Sequence, residues 1–423
     1  MKPLLHGALG AIVAAVITIL ALNLSPGEKK IKHSIQPAFG IGDAQFQRSM
    51  GHLLGPPLIG GNMVQTLLNG DEIFPSMISA IKGAKRSITF ETYIYWSGSI
   101  GAEFAKALAE RSRAGVKVHV LLDWLGSGKI DDELVETMTR AGVQVERYHP
   151  LRWYSIRRMN NRTHRKLLVV DGRIGFTGGV GIADKWTGHA QDTDHWRDTH
   201  FRIEGPVVLQ MQSAFMDNWL KVRSEVLHGE EYFPEPSTNG EQVAQMFRSS
   251  PREGSESIRL MYLLAIASAR HSILLENAYF VPDDLAVKAL VDASKRGVAV
   301  EVIVPGPNVD TAVTRRASRS LWGPLLEAGV AISEYQPTMF HCKVLVVDGL
   351  FTSVGSTNFD NRSFRLNDEA NLNILDATFA AKQVQIFRDD LKKSTRLTFE
   401  QWKRRPMSEK ATEWLAGLLR LQL

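Results

Sequence analysis

The sequence predicts an α/β fold built from two similar units that follow one another along the chain. Apolar strand-like runs alternate with helix-like stretches, this order recurs in the second half, and one phrase occurs twice. The phrase reads "HRKLLVVDGRIGFTGG" from His164 and "HCKVLVVDGLFTSVGS" from His341, 177 residues later. Alternating strands and helices indicate crossover connections within a sheet, and a period this long excludes a solenoid.

Composition limits the kinds of partner. Of the 423 residues, 44% are hydrophobic and 22% charged, which is typical of a globular protein with an ample core. The net charge of +5 is compatible with nucleic acid, a phospholipid surface or a phosphate substrate. Cys342 is the single cysteine, which excludes an internal disulfide and a zinc finger.

The N-terminal residues 1–40 are predicted to form a membrane anchor and tether. The apolar stretch Leu4–Leu24 approaches the ~20 residues that span a bilayer, and it lacks a clear signal cleavage site. We therefore favour an uncleaved transmembrane helix in the inner cell membrane over a cleaved signal. Lys29, Lys30 and Lys32 follow it and favour a cytoplasmic body, by a margin of about one charge.

The first unit is predicted over 41–228. "SITFETYIYW" (87–96) has the composition of a buried strand, and 101–115 has apolar residues at helical spacing and ends at Gly115, a plausible C-cap. "VKVHVLLD" (116–123) is a second strand.

The second unit is predicted over 243–395, after a link at 228–242 that is rich in acidic residues, Pro and Gly. "SILLENAYFV" (272–281) repeats the first strand, and 285–306 repeats the helix, Gly and second strand. The C-terminal residues 396–423 form an amphipathic tail that either lies on a membrane or docks against the body.

Each copy of the phrase predicts a β-hairpin, because Asp-Gly separates two apolar runs. Residues two apart on a strand share a face, so His164 and Lys166 point the same way, as do His341 and Lys343. Asp171 and Asp348 lie seven residues after their His, an odd step. Strand parity therefore gives these Asp residues a structural role at the turn.

Polar residues after the second hairpin are candidates for phosphate binding. Ser356 and Asn358 in "GSTN" are two apart and are expected to point into the same site. The first copy has Gly179 and Gly181 at these positions and lacks the polar pair.

The doubled His-x-Lys pair predicts acid/base chemistry on a phosphate. If the halves bring both His into one cleft, a neutral imidazole can attack phosphorus while a protonated one acts as general acid. The two Lys supply positive charge for phosphoryl oxygens. This is metal-free phosphodiester chemistry through a phosphohistidine, with no cofactor.

Each imidazole needs a carboxylate on Nδ1 to fix its tautomer. Glu369 lies 28 residues after His341, and Asp198 lies 34 residues after His164, at the matching place in the first half. We expect these two carboxylates to orient the two His side chains.

At these residues the sequence resembles the phospholipase D superfamily, whose signature His-x-Lys-x4-Asp occurs twice per chain. The match covers roughly 45–395, and the flanks "FETYIYW", "HWRDTHFRIEGP" and "GSTNFDNRSFRLNDE" are similar to those of bacterial cardiolipin synthases. The resemblance implies two α/β sandwich units related by a pseudo-two-fold axis, with one active site between them. It also adds Asp171 and Asp348 to the catalytic set.

The resemblance implies a phosphatidyltransferase that acts on phospholipids at a membrane. Phosphatidylglycerol is the expected substrate, with phosphatidylethanolamine as a further candidate, and no nucleic-acid partner is expected. His164 is expected to be the nucleophile and His341 the acid and then the base, with Lys166, Lys343 and Asn358 on the phosphate. Gly181 departs from the family, in which Asn is common at this position.

Other functions of the same motifs stay open. A phospholipase D would transfer the phosphatidyl group to water, a phosphodiesterase or nuclease would cleave nucleic acid, and a dead site would leave a lipid-binding scaffold. The predicted anchor and the flanks favour lipid transfer, and the two intact His/Lys pairs argue against a dead site. The segment 151–166 carries six Arg or Lys with Trp153 and Tyr154, and fits either an anionic bilayer interface or a solvated loop.

Overall fold

The computed structural model describes residues 10–18, 31, 33–36, 39–150, 160–250, 257–420 and 422–423. The predicted anchor Leu4–Leu24 and the basic segment 151–166 lie largely outside these ranges, and residues 10–18 are helical. Across the described ranges, no helix is both long and apolar enough to cross a membrane.

Within the described residues, fifteen strands form one mixed sheet, and two short strands, β10 and β15, pair separately. The strands are β1 Ile59–Leu68, β2 Ser87–Thr92, β3 Lys117–Asp123, β4 Gln144–Tyr148, β5 Leu167–Val170, β6 Ile174–Gly178, β7 Thr199–Glu204, β8 Gln242–Ser249, β9 Ser272–Asn277, β10 Phe280–Val281, β11 Ala299–Pro305, β12 Ala331–Tyr335, β13 Lys343–Val347, β14 Phe351–Gly355, β15 Phe359–Asp360, β16 Glu369–Leu375 and β17 Ser394–Leu397. The predicted unit boundary at 395 falls inside β17, which pairs with β12 at the edge of the sheet.

Helices cover both sides of this sheet. They are α1 Ala44–Leu54, α2 Asn69–Gly83, α3 Ser99–Arg113, α4 Asp132–Arg140, α5 Val207–Arg223, α6 Ser257–Ser268, α7 Asp284–Lys295, α8 Ala312–Ser320, α9 Trp322–Glu327, α10 Asn361–Arg365, α11 Ala377–Leu391, α12 Phe399–Lys403 and α13 Met407–Gly417. The predicted α/β class is confirmed, and α3 ends just before Gly115, whose φ of 89° fits the predicted C-cap.

The same strand order occurs on both sides of the sheet's centre. One side runs β4-β3-β2-β5-β6-β7-β1, the other runs β12-β11-β9-β13-β14-β16-β8, and β1 pairs with β8 between them. In each of these two runs the first three strands are parallel and the rest antiparallel, and in the second half β17 adds an antiparallel edge strand beyond β12. The repeat read from the sequence is thus a repeat of strand order.

The hydrophobic core has three main parts. One lies in the first half around Phe90 and Phe104, and another in the second half around Leu275 and Val302. The third contains residues of both halves, among them Val169, Ile203, Val344 and Leu372. Apolar burial therefore extends across the junction and fixes one half against the other.

Each doubled phrase forms the predicted hairpin. Strands β5 and β6 are joined by Asp171 and Gly172 with φ of 54° and 63°, and β13 and β14 by Asp348 and Gly349 with φ of 53° and 60°. Two successive positive φ angles are the conformation of a tight hairpin turn that Asp-Gly favours. The predicted strand 87–96 is shorter than expected, because after Thr92 the chain leaves the sheet and Tyr95 bridges to Ile182.

Candidate active site

A cavity of about 570 Å³ lies where the two halves meet. His164 and His341 both line it, together with Lys166 and Asn358. The two copies of the phrase therefore contribute to one cavity, as the doubled motif predicted.

Each imidazole contacts a carboxylate from the other half of the chain. Nδ1 of His164 lies 3.1 Å from both carboxylate oxygens of Glu369, and Nδ1 of His341 lies 2.7 Å from Oδ2 of Asp198. The spacing along the chain left open which carboxylate meets which His. In the structure each carboxylate contacts the His of the opposite half.

The main chain explains the exchange. Thr163 forms a parallel β-bridge with Asp368, and the N–H of His164 donates to the Asp368 carbonyl at 2.9 Å. Arg197 and Phe340 form the equivalent bridge on the other side, and the N–H of His341 donates to the Arg197 carbonyl at 2.7 Å. The main chain of His164 is thus held beside Asp368, which precedes Glu369. The main chain of His341 is held in the same way beside Arg197, which precedes Asp198.

Ser356 supports Glu369 rather than a substrate. Its hydroxyl donates to Glu369 Oε2 at 2.5 Å, its Oγ accepts from the Ala370 N–H at 3.0 Å, and its side chain is fully buried. The expectation that Ser356 binds phosphate is therefore corrected, because its hydroxyl is already committed to the carboxylate that orients His164.

Asp198 has a different support. The Trp186 indole N–H donates to Asp198 Oδ2 at 3.0 Å, and the Thr199 N–H donates to Oδ1 at 2.8 Å. A Cβ at Gly179 would lie 2.2 Å from Asp198 Oδ1. In the sequence, Gly179 looked like the loss of a polar group. In the structure, the Asp198 carboxylate occupies the space that a side chain at residue 179 would need.

Burial sets the protonation of the imidazoles. It lowers the pKa of His164 to about 4, against the opposing effect of Glu369. Burial and the neighbouring Lys343 lower the pKa of His341, again opposed by its carboxylate. Burial would raise the pKa of Glu369 and of Asp198, but the facing His and Lys outweigh it and lower both. Both imidazoles are therefore neutral at pH 7 and face ionised carboxylates.

The two lysines differ in position. Lys166 lines the cavity and donates to the His164 carbonyl at 2.9 Å, and burial lowers its pKa to about 7. Lys343 donates to the His341 carbonyl at 2.8 Å and its Nζ lies 3.3 Å from His341 Nδ1. Lys166 is thus the lysine with direct access to the cavity, while Lys343 lies against an imidazole.

Asn358 fits its predicted place. It lines the cavity, and its buried Oδ1 has no hydrogen-bond partner within the described residues. At the equivalent Gly181, a Cβ would lie 2.8 Å from Cβ of Ile94. An Asn cannot be accommodated there without displacing Ile94, which explains the asymmetry seen in the sequence.

Asp171 and Asp348 lie at the hairpin turns. The Asp171 carboxylate accepts from the N–H groups of Lys85, Arg86 and Ser87 at 2.7–3.2 Å, and Asp348 accepts from those of 270–272 in the same way at 2.7–2.9 Å. Neither lines the cavity. Their inclusion in the catalytic set is therefore corrected, and the structural role that strand parity assigned them agrees with these contacts.

Sequence reasoning missed the aromatic walls of the site. Tyr93 packs edge-on to His164 at 5.1 Å between ring centres, and Trp186 does the same to His341 at 5.3 Å. Trp196 also contacts His341, at 5.7 Å. The only available signal was the position of Tyr93 in the flank "FETYIYW" and of Trp196 in the flank "HWRDTHFRIEGP".

It also missed two buried arginines beside the carboxylates. Arg197 donates to the Asp198 carbonyl at 2.6 Å and pairs with Asp390 at 2.7 Å, and Arg165 donates to the Glu369 carbonyl at 3.3 Å and pairs with Asp217 at 2.9 Å. Both fix the main chain from which a site carboxylate projects.

In the described part of the chain, no group of three or more His, Cys, Asp or Glu is placed to hold a metal ion.

Comparison with known proteins agrees with this geometry. The family described as "Cardiolipin synthase, PLD-like domain" matches residues 77–219 and 262–391. The chain is 35% identical to cardiolipin synthase 2 of Bacillus anthracis over 84% of this chain and 70% of that protein. It is 34% identical to the major cardiolipin synthase of Bacillus subtilis strain 168, over 85% and 75%.

A solved structure shares the fold. The phosphatidylserine synthase of Haemophilus influenzae Rd KW20 superimposes with a TM-score of 0.70 at 14% identity, covering 90% of this chain and all of that one. At this identity the likeness concerns the fold alone.

Proposed function

The chain belongs to the family of cardiolipin synthases with phospholipase D-like domains, and from this we propose that its cavity transfers a phosphatidyl group between phospholipids through a phosphohistidine. It is a cardiolipin synthase-like phosphatidyltransferase. The observation that carries the chemical proposal is the pair of imidazoles in one cavity, each with an ionised carboxylate at Nδ1.

In the first step, His164 is the nucleophile. Glu369 accepts a hydrogen bond from the Nδ1–H of His164 and keeps the proton there, so the lone pair on Nε2 is free to attack the phosphorus of phosphatidylglycerol. The bond from phosphorus to the glycerol oxygen breaks, and His341 donates a proton to that oxygen. A bound phosphodiester anion raises the pKa of His341 and thereby favours the protonated form required here.

In the second step, the alcohol of a second lipid replaces glycerol. Neutral His341 accepts the proton of that hydroxyl, its oxygen attacks phosphorus, and the bond between phosphorus and His164 breaks. With phosphatidylglycerol as acceptor the products are cardiolipin and glycerol, and phosphatidylethanolamine is the further candidate substrate.

The phosphate oxygens are held by Lys166, Lys343 and Asn358 in this proposal. Lys166 and Asn358 line the cavity, where Asn358 can offer its amide N–H₂ group as the donor. Donors aimed at developing negative charge in a water-poor site lower the barrier most. The proposal uses no metal or other cofactor.

We also propose the arrangement of the whole chain. Units 41–228 and 243–395 are related by a pseudo-two-fold axis, which the matching strand orders support. Residues 1–40 form an anchor in the inner cell membrane, with the body on its cytoplasmic face and 396–423 as an amphipathic tail. The apolar stretch Leu4–Leu24 and the lysines that follow it support this arrangement.

The test is incubation of the purified full chain with phosphatidylglycerol, with and without phosphatidylethanolamine or free glycerol, followed by lipid analysis. Cardiolipin and glycerol are the expected products. Phosphatidic acid alone would identify a hydrolase, and cleavage of DNA or RNA without a lipid product would identify a nuclease.

Variants separate the roles of the two histidines. We expect His164→Ala and His341→Ala each to abolish transfer. His164→Ala should prevent any base-stable, acid-labile phosphoenzyme from labelled lipid, whereas His341→Ala should slow its formation and block its breakdown. The exposed His189 gives a matched control, since His189→Ala should transfer normally. A chelator should leave the rate unchanged, and a chelator-sensitive rate would contradict the proposal.

A further inference from the structure

Helix α13 carries its apolar residues on the outside. Met407, Trp414, Leu415 and Leu418 are spaced as one helical stripe and are 76%, 64%, 56% and 62% exposed. Leu419 beside them is 52% exposed. Soluble helices usually bury such a stripe, so a contiguous exposed one indicates an interaction surface.

The inner side of α13 is charged and fixed. Glu413 is 2% exposed and accepts from Arg319 of α8 at 2.9 Å and from Arg405 at 2.6 Å. Arg319 also pairs with Glu334 at 3.1 Å. Turning the apolar stripe inward would break this buried ion-pair network and leave charges unpaired, which is strongly unfavourable. The orientation of α13 is thus set by the fold.

The stripe adjoins the active-site cavity. After α13 the chain returns to the site, where Asn361 donates to the Arg420 carbonyl at 3.0 Å and Arg362 donates its N–H to the Leu423 carbonyl at 3.0 Å. Gln422 and Leu423 line the cavity. On the neighbouring α8, Val313 is exposed while Thr314 lines the cavity. The residues that follow α13 and the neighbouring α8 thus connect the stripe to the lining of the catalytic cavity.

The C-terminal segment that carries the stripe has an excess of basic residues. Residues 396–423 contain six Lys or Arg and three Glu. An exposed Trp and Leu stripe with flanking cations is the composition of helices that lie in the interface of anionic bilayers.

We propose that the stripe of α13 docks on an anionic phospholipid bilayer and thereby places the cavity mouth at the lipid headgroups. This proposal takes one assumption from the proposed function, namely that the substrates are phospholipids. An enzyme cavity away from the bilayer would need each lipid to leave the membrane and expose its acyl chains to water, which is unfavourable. Docking removes that requirement, because the headgroup can enter while the acyl chains stay in the bilayer.

A fluorescent probe tests the docking directly. The full chain has one cysteine, Cys342, which is buried, so Leu418→Cys provides a selective labelling site. With vesicles of phosphatidylglycerol and phosphatidylcholine, an environment-sensitive label there should shift to the blue and be quenched by a lipid-borne quencher. If the protein binds the vesicles but the emission of the label neither shifts nor is quenched, the proposal is wrong.

Val226 provides the matched control for this probe. It is 58% exposed, and the next residue, Leu227, packs in one cluster with Tyr232. The carbonyl of Glu231, which precedes Tyr232, accepts from Ser87 at the start of β2, whereas Tyr93 of the cavity follows the end of β2. A Val226→Cys label should stay in water. A Leu418 label that shifts with protein concentration in the absence of vesicles would instead identify a second copy of the chain as the occupant.

Activity gives an independent readout. The double variant W414E/L418E should lose roughly tenfold or more of its transfer rate on bilayers. It should keep the wild-type rate on a monomeric short-chain phosphatidylglycerol, and Val226→Glu should be unaffected on both. Equal loss on both substrates would contradict docking. If the wild-type chain makes no product from either lipid, the proposed function fails, and the probe experiment still decides the docking surface.

Discussion

Nδ1 of His341 lies 2.7 Å from Oδ2 of Asp198, a carboxylate that precedes it by 143 residues and belongs to the other half of the chain. Glu369 makes the reciprocal contact with His164. Neither half therefore contains a complete His-carboxylate pair, and the chemistry depends on the junction between them.

The first prediction concerns this exchanged pairing. Asp198→Asn should lower kcat by roughly 10³–10⁴-fold, because the amide no longer fixes the tautomer or stabilises the charged form of the imidazole. The Nδ1–H signal of His341 in ¹⁵N-labelled enzyme should change, while that of His164 should not. Asp194→Asn is the control, since this exposed neighbour pairs only with Lys185 among the described contacts. A change at His164 instead would contradict the pairing.

The second prediction concerns Gly179. Its replacement by Ala puts a Cβ 2.2 Å from Asp198 Oδ1, so the carboxylate must move away from His341. We expect a loss of about 10² in kcat, as for other ångström-scale displacements of catalytic groups. Gly60→Ala, where nothing lies within 4 Å of the added Cβ, should keep the wild-type rate. Equal rates for the two variants would show that the Asp198 position is not critical.

The third prediction separates folding from chemistry at the motif Asp residues. Asp171→Ala leaves three main-chain N–H groups without their acceptor, so we expect a destabilisation of about 1–3 kcal/mol. Thermal unfolding should shift to lower temperature, while kcat at a permissive temperature should stay near the wild-type value. Asp348→Ala should behave alike, and a loss of kcat in fully folded protein would return these residues to the catalytic set.

The fourth prediction concerns pH. Burial lowers the pKa of His164 to about 4 and that of Lys166 to about 7, so the neutral nucleophile and the charged lysine coexist between these values. We expect kcat/KM, which reports the free enzyme, to fall below the first value. On the alkaline side it should fall as the general acid His341, whose pKa is lowered from 6.5, and Lys166 lose their protons. Lys166→Arg should remove only the part of this fall that Lys166 causes, since Arg stays charged. An acid limit near 6.5, the ordinary pKa of His, would contradict the burial effect.

The lowered pKa of His164 also makes the stability of the fold depend on pH. The folded His164 resists protonation down to about pH 4, whereas the unfolded one takes up a proton near 6.5. The unfolded state thus binds more protons in this window, and this contribution to stability is lost as the pH falls from 6.5 towards 4.

The family, the enzyme class and the α/β fold were predictable because their signals are local and doubled. Asp-Gly between apolar runs required a hairpin, and two such hairpins with identical His and Lys spacing predicted one shared site. The comparisons confirm the family and the phosphatidyltransferase class. The anchor stays a prediction, because it falls largely outside the described residues.

The sequence by itself determined that each phrase folds into a hairpin with Asp-Gly at its turn, since that depends only on residues adjacent along the chain. Only the tertiary structure decided which carboxylate meets which imidazole, because the main-chain bridges Thr163 to Asp368 and Arg197 to Phe340 join residues of opposite halves. It likewise decided that Ser356 serves Glu369 and that Gly179 makes room for Asp198. Such contacts depend on how two folded halves pack, and no spacing along one chain specifies them.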